Sequence, residues 1–431
     1  MSLYERIRNH EIVFGVIGVG YVGLAMSMVL TRKNRVIAYD TDSNKIRLLQ
    51  SGKSYIDGIL DSDILERVNN GALYPTNSND KLNEADCFIV CVPTPLTACK
   101  QPELKYLANA SKIVSKYLHK NSVVIVESTT YPGTTEELIK PILETSGLVC
   151  GQDFYLAFSP ERIDPGNKEC RLENIPKVIG GTTEPAGKTA AFIYRENLDC
   201  EVLTVSSPKV AEMVKILENT YRNVNIGLIN EFAMICHKMK IDIWEVIESA
   251  KTKPFGFQAF YPGPGVGGHC IPVDPYYLSW KIKEYNMSAT IVEASEKIIE
   301  QLPDYNVLRI AEILNDYGKC VQNARILILG VAYKANIRDC RESPATAIMQ
   351  SLLNKQARVD YHDPYVPEFL LDHKRMLSIN FDTAALSSYD IIVILTGHDN
   401  VDYSRLKNVN VPVFDTRNVL KEIQSKNIYR L

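Results

Sequence analysis

The stretch Gly267-Gly268-His269-Cys270-Ile271-Pro272-Val273-Asp274 sets a thiol beside two glycines, with a carboxylate four residues on. Pro262, Gly263, Pro264 and Gly265 lead into it, a composition that lets backbone approach a ligand closely. Near the start of the chain, Gly18-Val19-Gly20-Tyr21-Val22-Gly23 has the spacing of a dinucleotide-binding turn. A hydride acceptor and a placed thiol nucleophile in one chain suit oxidation of an alcohol past the aldehyde. The competing explanation of Cys270 is a small buried residue, the common fate of a cysteine.

A glycine pattern of this kind alone also fits any tight turn. Here an apolar run precedes it, a helical pattern follows, and Asp40 ends the next apolar run. In that context Gly18 permits the turn, Gly20 lets backbone meet a pyrophosphate, and Gly23 lets helix pack on sheet. Asp40 is expected to accept from ribose hydroxyls and to repel a 2′-phosphate, so NAD is expected rather than NADP. Val92-Pro93-Thr94-Pro95 follows another strand-like run, where loops face the cofactor in such folds. In the next such loop, residues 127–135, the hydroxyls are expected to contact the nicotinamide ribose or to organise water; the loop also reads as a helix cap before Glu136, and the two readings are compatible. Ser159-Pro160-Glu161-Arg162-Ile163-Asp164-Pro165-Gly166 reads equally as a solvated turn or as part of the site. Lys215 and Asn219 lie four apart on one helix face, flanked by Glu212, Arg222 and Asn223; a surface salt-bridged stripe is the ordinary explanation of such residues.

These residues need a scaffold, and the apolar pattern supplies one. Runs at 12–17, 36–39, 87–92 and 122–126 alternate with helical patterns, as βαβ units do, and 155–158 and 178–180 add strands. Ser207 and Pro208 open a helical pattern that continues to about residue 240. Helices follow at 243–250, from near 276, and over 289–317 with a break at Pro303. The last part repeats the outline of the first: a strand at 326–329, a helix from about Ser343, strands at 359–361 and 390–395, and a final strand at 411–415. The expected fold is α/β, with two Rossmann-like doubly wound domains joined by a long central helix and a helical dimerisation region. Domains are expected at 1–206, 207–318 and 319–431, with a large bipartite ligand in the crevice between the two doubly wound ones.

The chain has 431 residues, 48 basic and 51 acidic, so no basic excess points to nucleic acid. No apolar run nears the roughly 20 residues that span a bilayer, and residues 1–11 are too polar for a secretory signal. Ten cysteines without CxxC pairing fit a reducing cytoplasm and show no zinc-ligand spacing.

Taken together these motifs, with Arg341-Glu342-Ser343-Pro344, resemble the UDP-glucose/GDP-mannose dehydrogenase family over residues 18–417. Within it the chain is most similar to the branch that oxidises UDP-N-acetylglucosamine. UDP-glucose enzymes usually carry Asn-Pro-Glu-Phe where this chain has Ser159-Pro160-Glu161-Arg162. The resemblance implies four-electron oxidation of C6 with two NAD, through a thiohemiacetal and a thioester on Cys270. It implies Lys215 and Asn219 as oxyanion stabilisers, Asp274 as base or orienter of the base water, Glu161 in thioester hydrolysis, and Thr129 as a water-ordering group. Cofactor contacts are implied at Gly18, Gly20, Tyr21, Val22, Gly23, Asp40, Thr94, Ser128 and Arg341. Substrate contacts are implied at Glu161, Arg162, Lys215, Asn219, Phe260, Tyr261, Gly265, Lys334 and Arg417. A homodimer or higher homo-oligomer and a surface-polysaccharide role also follow from the resemblance. UDP-N-acetylmannosamine, UDP-N-acetylgalactosamine or UDP-glucose as substrate, and a non-catalytic nucleotide-sugar-binding protein, are the alternatives.

Overall fold

The structure, a computed structural model, describes residues 1–56, 58–163, 172–268, 270–381 and 384–431. Asp164-Pro165-Gly166 and His269, each part of a motif named above, lie outside the described residues. The chain divides into two compact units. The first is Met1–Glu218 with Tyr276–Met287, the second Asn219–Pro275 with Ser288–Leu431.

The first unit is built on eight strands: β1 (Val13–Ile17), β2 (Arg35–Tyr39), β3 (Leu73–Thr76), β4 (Cys87–Val90), β5 (Val123–Val126), β6 (Tyr155–Phe158), β7 (Lys177–Gly181) and β8 (Val202–Val205). Their order is β3-β2-β1-β4-β5-β6-β7-β8, and only β6 and β7 pair antiparallel. β4 and β5 are buried along their whole length, because helices cover both faces of a parallel sheet. Val16, Ile89 and Ile125 enter one core, while Ile17, Phe88 and Val124 enter the other, as alternation along a strand requires. β3 and β8, absent from the sequence reading, are the two edge strands. Pro75 in β3 weakens its strand signal and suits an edge.

The second unit holds five parallel strands in the order β10-β9-β13-β14-β15 and a separate hairpin, β11–β12. These are β9 (Arg325–Leu329), β10 (Arg358–His362), β11 (Glu368–Leu371), β12 (Lys374–Leu377), β13 (Ile391–Ile394), β14 (Val413–Asp415) and β15 (Ile428–Arg430). The expected final strand at 411–415 is therefore followed by another; β15 has only three half-buried residues and carries little pattern. The two orders are the two common forms of doubly wound α/β sheet, and each puts the first βα loop at a topological switch point.

The long helix Pro208–Met239 forms as its capping residues indicate, and its residues fall in both units. Helix Thr290–Asp316 runs through Pro303, so the expected break is absent. A proline removes one rung of the ladder, here to Ile299, and buried Leu302, Asn306 and Val307 hold the helix across that gap. Among the described residues no helix is long and apolar enough to cross a membrane.

Candidate active site

In the first unit, β1 ends at Gly18, whose φ of 89° favours glycine. A Cβ there would lie 2.7 Å from the Cys91 carbonyl oxygen. A Cβ on Gly23 would sit 1.9 Å from the Gly18 carbonyl oxygen, whereas one on Gly20 would meet nothing within 4 Å. The turn is thus closed against the protein at Gly18 and Gly23 and open at Gly20. No side chain caps helix Tyr21–Leu30, so its positive end faces the same opening. Asp40, 8% exposed, accepts from the Val19 N–H at 2.9 Å and the Asp42 N–H at 2.9 Å. Its carboxylate therefore organises the glycine loop, and its remaining lone pairs suit ribose hydroxyls. These features fit NAD.

The neighbouring loops are tied down by hydroxyls. Ser128 Oγ donates to the Val92 carbonyl at 2.8 Å, and Tyr277 donates its hydroxyl proton to the Thr94 carbonyl at 2.8 Å. Thr129 is half-buried beside them in the chain. Glu212, expected on a polar flank of the long helix, is instead buried. It accepts from the N–H groups of Gly133 and Thr135 and from the Thr135 hydroxyl. Burial pushes its carboxyl above the usual range, with those donors opposing.

One turn further along that helix, Lys215 is 7% exposed and donates to the Glu161 carbonyl. The Glu161 side chain accepts from the N–H groups of Arg162 (2.6 Å) and Ile163 (2.7 Å) and from Lys177 Nζ (3.0 Å). Lys177 also donates to Glu127 at 2.9 Å, and Tyr194 donates its hydroxyl proton to Glu127. Burial drives the Glu127 carboxyl upward. It disfavours the Lys177 ammonium too, but the two carboxylates outweigh it and raise that group. Arg162 makes a fork to Glu218 and donates to the Pro176 carbonyl at 2.8 Å. Lys177, Glu127 and Tyr194 carried no assignment from the sequence; the only signal was a lysine at the head of an apolar strand.

In the second unit, Cys270 and Asp274 are one helical turn apart, since the Asp274 N–H donates to the Cys270 carbonyl at 2.8 Å. Asn219 donates its side-chain amide to Asp274, and Asn223 donates to the Ile271 carbonyl at 3.1 Å. The long helix therefore holds the cysteine turn at two points, and Cys270 is half-buried. Gly268 has φ 84°, and a Cβ there would press on the Tyr333 ring at 3.0 Å; its N–H donates to the Arg341 carbonyl at 3.0 Å. This packs the cysteine loop onto the loop after β9, which carries half-buried Lys334 and exposed Arg341. Arg341 pairs with Asp339 at 2.6 Å. Gly265 approaches Pro344. Gly263 approaches Arg417, whose Nε donates to the Leu395 carbonyl at 2.9 Å. Burial pulls the Arg417 guanidinium down to about 10, with Asp415 opposing. Phe260 lies edge-on to Tyr221, and Tyr261 stacks on Trp244 and donates to Glu248 at 2.8 Å.

The sequence-derived residues thus fall into two clusters: Thr129, Glu161, Arg162 and Lys215 in the first unit, and Asn219, Cys270 and Asp274 in the second. The doubly wound sheet, its open glycine turn and the carboxylate ending the second strand define a dinucleotide-dependent oxidoreductase. The particular kind is given by relatives. Residues 12–198, 209–301 and 327–422 match the NAD binding, central and UDP binding domains of the UDP-glucose/GDP-mannose dehydrogenase family, and the chain belongs to that family. It is 36% identical over 400 residues, 93% of each chain, to UDP-N-acetyl-D-glucosamine 6-dehydrogenase of Pseudomonas aeruginosa. It is 35% identical to UDP-N-acetyl-D-mannosamine dehydrogenase of Methanocaldococcus jannaschii, over 96% of this chain and 95% of that one. The solved UDP-D-ManNAc dehydrogenase of Pyrococcus horikoshii has a TM-score of 0.88 and 32% identity, covering 97% of this chain and 99% of that one. The protein is an NAD-dependent nucleotide-sugar dehydrogenase with a UDP-sugar substrate.

Proposed function

We propose that this dehydrogenase oxidises C6 of UDP-N-acetylglucosamine to the uronate through a thioester on Cys270. The observation that carries the reading is the Cys270–Asp274 turn held by Asn219 of the long helix. NAD, when bound, supplies the hydride acceptor for both oxidations. Asp274 takes the substrate hydroxyl proton or orients the water that does. The Cys270 thiolate adds to the aldehyde carbon, and sulfur later departs as thiolate when water cleaves the acyl group. Lys215 and Asn219 donate to the oxygen that carries developing negative charge. Glu161 takes the proton of the hydrolytic water, and Thr129 orders that water. Gly18, Gly20, Tyr21, Val22, Gly23, Asp40, Thr94, Ser128 and Arg341 hold the cofactor. Lys334, Gly265 and the Phe260–Tyr261 backbone hold the diphosphate, Arg162 the sugar side and Arg417 the nucleotide end.

UDP-N-acetylmannosamine is the second reading, because relatives named for either sugar are about equally similar. A panel of UDP-sugars, compared by kcat/KM, decides between them. Reduction of about two NAD per sugar is expected by the thioester route. A yield of one, with aldehyde accumulating, refutes it. An unchanged uronate yield from Cys270→Ser refutes the role of the thiol.

The same reading includes the three-part division at 206 and 318 and a homodimer or higher homo-oligomer. Exposed Met213, Leu217, Leu228, Phe232, Ile235 and Met239 form an apolar stripe along the long helix, which supports association between copies. Among the described residues the eight cysteines other than Cys270 are free thiols, which supports a reducing cytoplasm.

A further inference from the structure

The Glu161 carboxylate is unusually well held. One oxygen accepts two backbone N–H groups, those of Arg162 and Ile163, and the other accepts Lys177 Nζ at 3.0 Å. The Lys177 side chain is 3% exposed, and its second carboxylate partner, Glu127, has a side chain with no exposure. Glu127 is fixed in turn by the Tyr194 hydroxyl, and the Tyr194 ring faces the ammonium at 5.3 Å. A buried lysine between two buried carboxylates is weak support for stability, since apolar packing does as well or better. What the arrangement gains is direction. A carboxylate offers about four lone-pair positions. Among the described residues three are taken, so the remaining one, on the oxygen that faces Lys177, has a fixed aim. The Glu161 carbonyl also accepts from Lys215, so the residue is anchored through side chain and backbone alike.

We propose that Lys177, held by Glu127, is the positioning residue of the hydrolytic half-reaction, fixing the Glu161 carboxylate in the orientation in which it takes the proton of the hydrolytic water. The inference rests on the reading of Glu161 given above. In the step, the water oxygen bonds to the acyl carbon and the C–S bond breaks with its electron pair on sulfur. One water proton goes to Glu161 and is passed to solvent, and no electrons are exchanged with NAD. Lys177 touches neither substrate nor cofactor; without it the carboxylate keeps its backbone donors but loses the one that orients the second oxygen.

The test is rapid-mix kinetics on K177M and E161Q, with NAD and the UDP-sugar that the unaltered protein turns over fastest. Acyl adduct on Cys270 is read by intact mass. Aligned proton transfer contributes about 10²–10⁴-fold, so K177M is expected to slow adduct hydrolysis about tenfold or more. The initial burst of NAD reduction and the KM for the sugar should stay within about threefold, whereas a general structural defect lowers burst and hydrolysis together. K177R should recover part of the hydrolysis rate. If E161Q does not accumulate adduct, the reading of Glu161 fails. If E161Q accumulates it and a folded K177M does not, the role of Lys177 is overturned. Should K177M fail to fold, E127Q replaces it: slower hydrolysis with an intact burst supports the proposal, and unchanged hydrolysis overturns it.

Discussion

The two sheets open on the same device and finish it differently. After β1, Gly18 has φ 89° and its N–H donates to the Tyr39 carbonyl; after β9, Gly330 has φ 83° and its N–H donates to the His362 carbonyl. In each case a carboxylate ending the neighbouring strand accepts from the next N–H: Asp40 from Val19, and Asp363 from Val331 and Ala332. The first copy stays accessible, with Gly20 facing empty space. The second is sealed. Asp363 is 1% exposed, takes two further N–H groups from Tyr365 and Val366, and pairs with buried His398 at 3.0 Å. His398 Nδ1 accepts from the Asn336 N–H, so Nε2 is the ring nitrogen that donates to Asp363. One frame thus serves as a cradle for a dinucleotide in one unit and as a rigid base for a loop bearing Lys334 and Arg341 in the other.

If that contrast is right, equivalent changes have unequal consequences. Asp363→Asn strands several buried partners and is expected to cost about 3 kcal/mol of stability, read as a large fall in Tm. A shift no greater than that of Asp40→Asn breaks the comparison. Gly20→Val should leave stability within about 1 kcal/mol, since a Cβ there meets nothing within 4 Å. Yet it should weaken NAD binding about tenfold or more by filling the approach to the pyrophosphate, measured by titration. Asp40→Asn should act more mildly, raising the KM for NAD a few-fold and shrinking the preference over NADP. An unaltered NAD/NADP ratio removes Asp40 from cofactor choice.

The smallest effect is in acid. Burial pushes the Asp363 carboxyl up, but His398 and the loop N–H groups outweigh it and hold it below its ordinary value. A depressed folded-state value stabilises above the unfolded value of about 3.9, and this contribution is lost as pH falls through the folded one. Tm should therefore drop more gently between about pH 5 and 3 in Asp363→Asn than in the unaltered protein. Equal slopes sink the assignment.

What was readable was local. The strand, glycine turn, helix and Asp40 lie within about thirty residues, and each leaves its own pattern. The long helix with its cap was legible for the same reason. Lys177 was not, because its carboxylate partners lie 16 and 50 residues away and a lysine heading a strand looks solvent-facing. Glu212 looked like one more charge on a helix, yet its partners are 77 to 79 residues distant. Asp363 and His398 are 35 apart, on different strand ends. Such pairs are set by which strand ends become neighbours, and neither composition nor periodicity encodes that.

Lys215 and Asn219 share one continuous helix, so their directions are bound together by its pitch. A residue inserted between them would swing Asn219 by about 100° about the axis while leaving every functional side chain in the sequence. Spacing along this rod is therefore inherited information in its own right. A descendant could exchange many surface residues of the helix freely, but a single added or lost codon between those two positions would turn the two side chains onto different faces of the helix.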